Sequence, residues 1–311
     1  MPERLSSIQR ILNVGSVGKL ITGVAISQLA EAGKIDLDGR IVEYLPEVEI
    51  MFDQSTTVRH LLTHTSGADE IFAYEELDDD LEQAESNAEL FAIALGLSPV
   101  GPPGGDFSYC NTNFIVLAEL VSSLSGLSFE NYVVRNIFTP AGMNGAMFAR
   151  SVNDSGESAL GYLPCSPAAL LIDERCEPKI RNGIAVYPYA ADFIYDRIRT
   201  NGAGGLFATA SDMLAFANAW SNGRLIDKST IQEACSQKIP HRRPGRAYGL
   251  ACSIFESSKP RYVGHNGGAP GIQASLAIFP ETELIAVVLS NHHRQARPLL
   301  DEFQSGLLSL Q

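Results

Sequence analysis

The chain of 311 residues carries 23 Lys and Arg against 36 Asp and Glu, a formal charge of −13, on a composition that is 45% apolar and 19% charged. Its length allows one large domain or two ordinary ones. The charge has the wrong sign for a surface that binds nucleic acid or anionic lipid, and no stretch reaches the roughly 20 uninterrupted apolar residues of a membrane helix, so neither partner is expected. Five cysteines (Cys110, Cys165, Cys176, Cys235, Cys252) are odd in number and form no CxxC pair, which reads as buried or idle thiols. Met1 to Arg10 is mostly polar and holds no secretory signal, so the expected location is cytoplasmic, or periplasmic or secreted if the N-terminus is trimmed.

From Val17 to Ala32 the run VGKLITGVAISQLAEA is apolar nearly all round and stops at Gly33, which predicts a buried central helix. A turn-rich stretch leads to TVRHLLTHTSG, a short helical pattern ending at Ser66-Gly67. Glu75 to Glu89 holds eight acidic side chains among helix formers, which reads as a solvated helix face. After the turn GPPGGD, the apolar residues from Phe114 to Leu124 recur at helical spacing. Between Ser151 and Gly202 four prolines predict long loops, with Tyr162, Tyr187, Tyr189 and Phe193 either lining a cleft or packing the loops. A helix resumes after Thr209 or Ser211, both candidate caps. Then AYGLACSIFES, RYVGHNGG, QASLAIFP and ELIAVVLSN predict antiparallel strands, and Arg294 to Gln311 a closing helix.

Ser16-Val17-Gly18-Lys19 opens the buried helix, and an i, i+3 pair shares a helix face, so a hydroxyl lies beside an amine. Lysine's usual pKa of about 10.4 makes it a poor proton acceptor at neutral pH, but burial disfavours its charged form. Alone, the pattern favours a capping serine and a surface lysine, since Ser-x-x-Lys occurs often by chance. Tyr109-Cys110-Asn111 adds a phenol and an amide on an irregular loop between a turn and a helix. His265-Asn266-Gly267 lies on a predicted strand and is followed by Gly268.

In that order, Ser-x-x-Lys, Tyr-x-Asn and His-x-Gly resemble the three motifs of the serine β-lactamase and penicillin-binding superfamily. LAEAGKIDLDGRIVEYLPE, VRHLLTHTSG, FSYCNTNF, FTPAGM, GAGGLFATASDM and VGHNGGAPG are similar to its class C branch and to the esterase and D-peptidase relatives, over nearly the whole chain. The resemblance implies that Ser16 is the nucleophile, that Lys19 and Tyr109 share the base and proton-shuttle work, that Asn111 holds the substrate's acyl side chain or the Lys19 amine, and that His265, Gly267 and Gly268 bind substrate. It further implies an oxyanion hole from the backbone N–H groups of Ser16 and Gly268. Glycines at 267 and 268 suit a strand that a substrate approaches closely, and equally a hairpin turn.

Two departures from the family pattern bear on function. His265 stands where β-lactamases carry a permanent cation, which points toward esterase, amidase or D-peptidase chemistry. If its imidazole orients substrate, hydrolysis is expected to vary where histidine titrates. Only 15 residues precede Ser16, where the family places a helix and two strands. The sheet is therefore expected to lack its N-terminal strands, with lower stability or a homodimer covering the open edge.

Other patterns carry less. VGSVG has Val14 where an α/β-hydrolase elbow has Gly, and GSVGKL lacks the first Gly and the final Ser or Thr of a phosphate loop. His60 and His64 lack the Glu of a zinc helix, which favours structural roles, and His292 and His293 read as loop residues. The basic run His241 to Arg246 reads as a solvated loop more readily than as a site for an anionic substrate.

The expected architecture is α+β and β-lactamase-like: an antiparallel sheet flanked by helices (1–34 and 222–311) and a mainly helical subdomain (35–221), forming one catalytic unit. The expected function is a serine hydrolase forming an acyl-enzyme with esters, small amides or D-amino-acid peptides, with weak β-lactam reactivity. It calls for a small-molecule substrate, no cofactor and no metal. The alternative is a catalytically degenerate penicillin-binding or scaffolding protein.

Overall fold

The computed structural model describes residues 10–148, 162–164, 179–181, 184–186, 189–191, 200–236, 239–256, 260–269, 271–292 and 296–309. At its centre lies α1 (Gly18–Glu31). Because its sequence offers no polar face, it has to sit inside protein, and Leu20, Ile21, Val24, Ala25, Ile26 and Leu29 are all buried, as is Lys19. The helix ends where Gly33 takes a left-handed φ of +68°.

Seven helices follow before the middle of the chain: α2 (Ile41–Tyr44), α3 (Val58–Leu62), α4 (Asp78–Gln83), α5 (Asn87–Ala94), α6 (Thr112–Ser125), α7 (Phe129–Val133) and α8 (Thr139–Ala141). Of these, α6 is almost wholly buried and packs against α1, α3, α5 and α7. The acidic run lies around α4 and the start of α5, and most of its described side chains face solvent. On the other side of α1 stands a six-stranded antiparallel sheet. Its strands are β8 (Ile239–Pro240), β9 (Arg246–Tyr248), β10 (Ser253–Phe255), β11 (Tyr262–Ala269), β12 (Ile272–Phe279) and β13 (Leu284–Ser290), in spatial order β13-β12-β11-β10-β9-β8. Alternation divides the sheet: Val263, Leu276 and Ile278 join the main core, while Phe255, Tyr262, Ala277 and Phe279 form a second cluster with Leu300. Leu300 belongs to α11 (Ala296–Ser309), which packs on β12 and β13.

A smaller sheet fixes the entry to α1. β1 (Leu12–Asn13) and β2 (Met147–Phe148) flank β7 (Leu206–Ala208), in the order β1-β7-β2. Two elements depart from expectation. The stretch from Ser151 to Gly202 contains two ladders, β3 (Tyr162–Pro164) with β6 (Tyr189–Ala191) and β4 (Lys179–Arg181) with β5 (Ile184–Val186). The sequence signal was there: Asn182-Gly183, between the paired Arg181 and Ile184, is a strong hairpin marker outweighed in reading by the prolines. Tyr187, Phe193, Cys165, Cys176 and His293 lie outside the described residues. The second departure is α9 (Ala210–Ser221). Assigned by sequence to the helical subdomain, it packs both on β13 of the sheet and on α8 of the helical region. Its cap is Thr209, whose side chain accepts from Asp212 N–H while the Asp212 carboxylate accepts from Thr209 N–H. α10 (Lys228–Ser236) follows it.

Candidate active site

The approach to Ser16 is set by a tight turn. Asn13 Oδ1 accepts from Gly15 N–H at 2.6 Å, and Gly15 has φ +52°. A Cβ on Gly15 would lie 2.8 Å from Gly268 N, so the turn is pressed against the backbone of β11. The residues Gly15–Val17 form one 3₁₀ turn feeding α1, which leaves Ser16 half-buried at the mouth of a helix N-terminus. On the facing strand, a Cβ on Gly267 would sit 1.9 Å from Val14 O and 3.1 Å from Ser16 N. Gly268 is exposed and its added Cβ would meet nothing nearer than 3.8 Å. The backbone nitrogens of Ser16 and Gly268 thus both lie where this turn meets β11.

Lys19 is fully buried one turn below Ser16. Its Nζ lies 3.3 Å from Ser16 Oγ and donates to Asn111 Oδ1 at 2.7 Å and to Ala203 O at 2.8 Å. The Tyr109 and Phe114 rings lie 5.0 and 5.4 Å away. Burial pulls its pKa down to about 7, against the opposing pull of Glu70. Ala203 is held in place by its neighbour: Gly202 O accepts from Thr22 Oγ1 at 2.7 Å, and Gly202 N–H donates to Asn87 Oδ1 at 3.1 Å.

Tyr109 is 39% exposed as a residue, and burial of its hydroxyl, with the charge of Glu70 adding to it and Ser16 opposing, pushes its pKa well above the ordinary phenol value. At neutral pH it is a phenol, not a phenolate. Its ring rests on His64, centroid to centroid 4.4 Å. His64 is buried at a left-handed φ of +58°, accepts from Cys110 N–H through Nδ1 at 3.1 Å, and is kept neutral by burial first and by Lys19 second. Asn111, next along, is tied to Glu70. Glu70 Oε2 accepts from Asn111 N–H at 2.6 Å and from Asn111 Nδ2 at 3.2 Å.

His265 departs from expectation. It is buried, Nε2 pairs with the Tyr248 hydroxyl at 3.0 Å, and Nδ1 pairs with Asn266 O at 2.7 Å. Because the carbonyl only accepts, Nδ1 carries the proton and Nε2 accepts from Tyr248. Burial, and secondarily Lys19, pulls its pKa to about 3. The imidazole is therefore neutral throughout the range in which a free histidine titrates, and the pH dependence expected of it there is corrected. In the basic run Arg242, Arg243 and Pro244 are exposed, as a solvated loop implies, while its two ends are partly covered. His241 and Arg246 line a cavity of about 150 Å³ with Phe107, Tyr109, His265 and Asn266, and the Arg246 guanidinium stacks on Phe255 at 4.9 Å.

Of the residues singled out by sequence, Ser16, Lys19, Tyr109, Asn111, Gly267 and Gly268 converge, and His265 shares the Gly267 face of β11 with its ring centroid 6.3 Å from that of Tyr109. His60 serves as a helix cap, its Nδ1 accepting from Thr57 N–H at 3.1 Å. Glu70, His64, Tyr248 and Ala203 were missed as site residues. Only the framing motif THTSG gave any signal, for His64.

The site thus sets a buried amine against a serine hydroxyl at a helix start, faced by a glycine strand and a phenol. The Beta-lactamase family model matches residues 9–308, and the chain belongs to that family. It is 27% identical to penicillin-binding protein 4* of Bacillus subtilis over 90% of this chain and 60% of that one. It is also 26% identical to a D-aminopeptidase of Cereibacter sphaeroides over 92% of this chain and 51% of the relative. The chain thus spans roughly half to two-thirds of the length of the curated relatives it matches. Among solved structures, a penicillin-binding protein from Bacillus halodurans superposes with a TM-score of 0.80 at 25% identity, covering 97% of this chain and 88% of that one. The D-amino acid amidase of Ochrobactrum anthropi shares the fold, with a TM-score of 0.81 at 18% identity over 98% and 86% of the two chains.

Proposed function

We propose that the protein is a serine hydrolase that works through an acyl-enzyme on Ser16, and that its substrates are carboxylic esters, small amides or D-amino-acid peptides, with β-lactams reacting slowly. The observation that carries this is the hydrogen-bonding of Lys19. A neutral amine has two N–H donors and one lone pair; Asn111 Oδ1 and Ala203 O take the donors, which turns the lone pair toward Ser16 Oγ. A pKa of about 7 leaves much of the amine neutral at physiological pH.

In the proposed sequence Lys19 Nζ takes the Ser16 proton as Oγ bonds to the substrate carbonyl carbon. The carbonyl electron pair moves to oxygen, where the N–H groups of Ser16 and Gly268 receive it. Collapse breaks the bond to the alcohol or amine, which leaves with a proton delivered through Lys19 or Tyr109. Water then repeats the sequence on the acyl-enzyme and releases the acid. Tyr109, held as a phenol, suits the donor's part, and Lys19 the acceptor's. The neutral His265 offers no charge to a substrate carboxylate, which favours esters and amides over β-lactams; D-amide substrates draw support from the relative named D-aminopeptidase.

Intact-mass spectrometry after brief exposure to p-nitrophenyl acetate, a penicillin and a fluorophosphonate tests this reading, with Ser16→Ala alongside. A single adduct absent from the variant is expected, with the ester adduct turning over. No adduct with any reagent refutes it and favours a degenerate binding protein. An adduct that never turns over does the same for hydrolysis.

A further inference from the structure

Away from Ser16, the end of α10 and the turn between β9 and β10 bring two cysteines together. Cys235 stands one residue before the end of α10, and Cys252 closes the turn. Ala234 O anchors the meeting: it accepts from Leu250 N–H at 3.1 Å and from the Cys252 thiol at 3.4 Å, and its carbonyl carbon is the one bonded to Cys235 N. The fit is close, since a Cβ on Gly249 would lie 2.0 Å from Ala234 O and 3.0 Å from Cys252 Sγ. Gly249 N–H donates to Cys252 O at 2.8 Å and Ala251 N–H to Leu62 O at 3.0 Å, so the turn holds Cys252 in place beside the last turn of α10. The two thiols differ in access. Cys252 is fully buried, whereas Cys235 is half-buried and lines a cavity of about 760 Å³ between α9, α10, β12 and β13. Contact with Cys252, and then the charge of Arg261, lower the Cys235 pKa against the pull of burial, while contact with Cys235 and burial raise that of Cys252. The thiol that ionises first is thus the one that a reagent can reach. Cys110, by contrast, is buried, donates to Asp69 O at 3.3 Å, and has its pKa pushed up to about 11 by burial.

We infer that Cys235 and Cys252 form a dithiol site, separate from Ser16, that hydrogen peroxide or another hydroperoxide converts reversibly into a disulfide. The Cys235 thiolate attacks one peroxide oxygen, the O–O bond breaks, and the departing hydroxide takes up a proton as water, which leaves Cys235 a sulfenic acid. The Cys252 sulfur then bonds to the Cys235 sulfur, the S–O bond breaks, and the hydroxyl group leaves as water with the Cys252 proton. Two thiols and one hydrogen peroxide give one disulfide and two waters, and a dithiol reductant restores the thiols by exchange. The inference does not depend on the reaction proposed for Ser16.

Lys238 and Arg246 lie between the two cysteines, so trypsin separates them into different peptides. The native full chain is exposed to hydrogen peroxide, its remaining thiols are blocked with N-ethylmaleimide, and its tryptic peptides are mapped by mass spectrometry without reduction. A linked Cys235–Cys252 peptide is expected, which dithiothreitol returns to two thiols. Before oxidation, iodoacetamide is expected to alkylate Cys235 roughly tenfold or more faster than Cys110. In Cys252→Ala, Cys235 is expected to stop at the sulfenic acid and to take up dimedone; in Cys235→Ala, Cys252 is expected to stay reduced. The inference is overturned if no linked Cys235–Cys252 peptide forms, if Cys110 is alkylated as fast as Cys235, if wild-type Cys235 takes up dimedone as heavily as in Cys252→Ala, or if Cys252 is oxidised in the absence of Cys235. The peptide map of the wild type decides the matter even if either variant fails to fold.

Discussion

Glu70 Oε2 accepts hydrogen bonds from both the backbone N–H and the side-chain amide of Asn111. A carboxylate only accepts, so it claims the amide nitrogen and turns Asn111 Oδ1 toward Lys19, where a donor waits. Glu70 also raises the Lys19 pKa through its charge. The two effects separate by substitution. Glu70→Ala frees the amide and is expected to lower kcat/KM by roughly 10- to 100-fold. Glu70→Gln keeps an oxygen for both bonds but removes the charge, so it is expected to retain most activity while the midpoint of the pH profile moves to lower pH. A midpoint that stays in place, or moves up, refutes the assignment.

The hydrolysis rate is expected to rise with pH through about 7 as the Lys19 ammonium loses its proton. That limb persists in His265→Gln, because His265 is already neutral down to about pH 3. Stability follows the same group. Folding lowers the Lys19 pKa from about 10.4 to about 7, so between those values the unfolded chain holds more protons and stability gains as pH rises. The cost of burying Lys19 is fully present below pH 7 and fades toward pH 10. Urea midpoints should therefore show Lys19→Met gaining most over the wild type at pH 6 and least near pH 10; a pH-independent difference counts against a lowered pKa.

The glycines of β11 are not equivalent. In Gly267→Ala the new methyl meets Val14 O at 1.9 Å, backbone against backbone, so the strand and the Ser16 turn must part. Loss of one oxyanion donor alone costs roughly 10²- to 10³-fold in kcat, and Gly267→Ala is expected to lose at least that together with a lower Tm. Gly268→Ala meets nothing nearer than Ile272 O at 3.8 Å, an ordinary contact, and should melt as the wild type does. Equal Tm values for the two variants exclude this packing.

His64 carries the Tyr109 ring and the Cys110 amide. Its left-handed φ suits asparagine, so His64→Asn removes the platform with little backbone strain. The expected result is a kcat lower by roughly 10- to 100-fold from a misplaced hydroxyl, with KM nearly unchanged. An effect confined to KM argues that His64 shapes substrate binding instead.

The parts legible in the sequence were those in which chemistry and local structure coincide. Ser16 and Lys19 share a helix face, Gly33 ends that helix, and Gly267 and Gly268 mark a strand open to close approach. What escaped was held by distance along the chain. Glu70 reaches Asn111 across 41 residues, His64 reaches Cys110 across 46, and Ala203 reaches Lys19 across 184. No local period encodes such meetings. The charge state of His265 escaped for a related reason, because it depends on burial beside Lys19 and on Tyr248, which comes from β9.

The two acceptors of the Lys19 amine come from segments far apart in the sequence, Asn111 at the start of α6 and Ala203 just before β7. An unfolded chain keeps its lysine charged in water and its serine an ordinary alcohol. The proposed reactivity thus requires both segments to be in place around Lys19. A nascent, damaged or half-assembled copy is chemically harmless, and any acylation of Ser16 doubles as a count of molecules that have reached the native state.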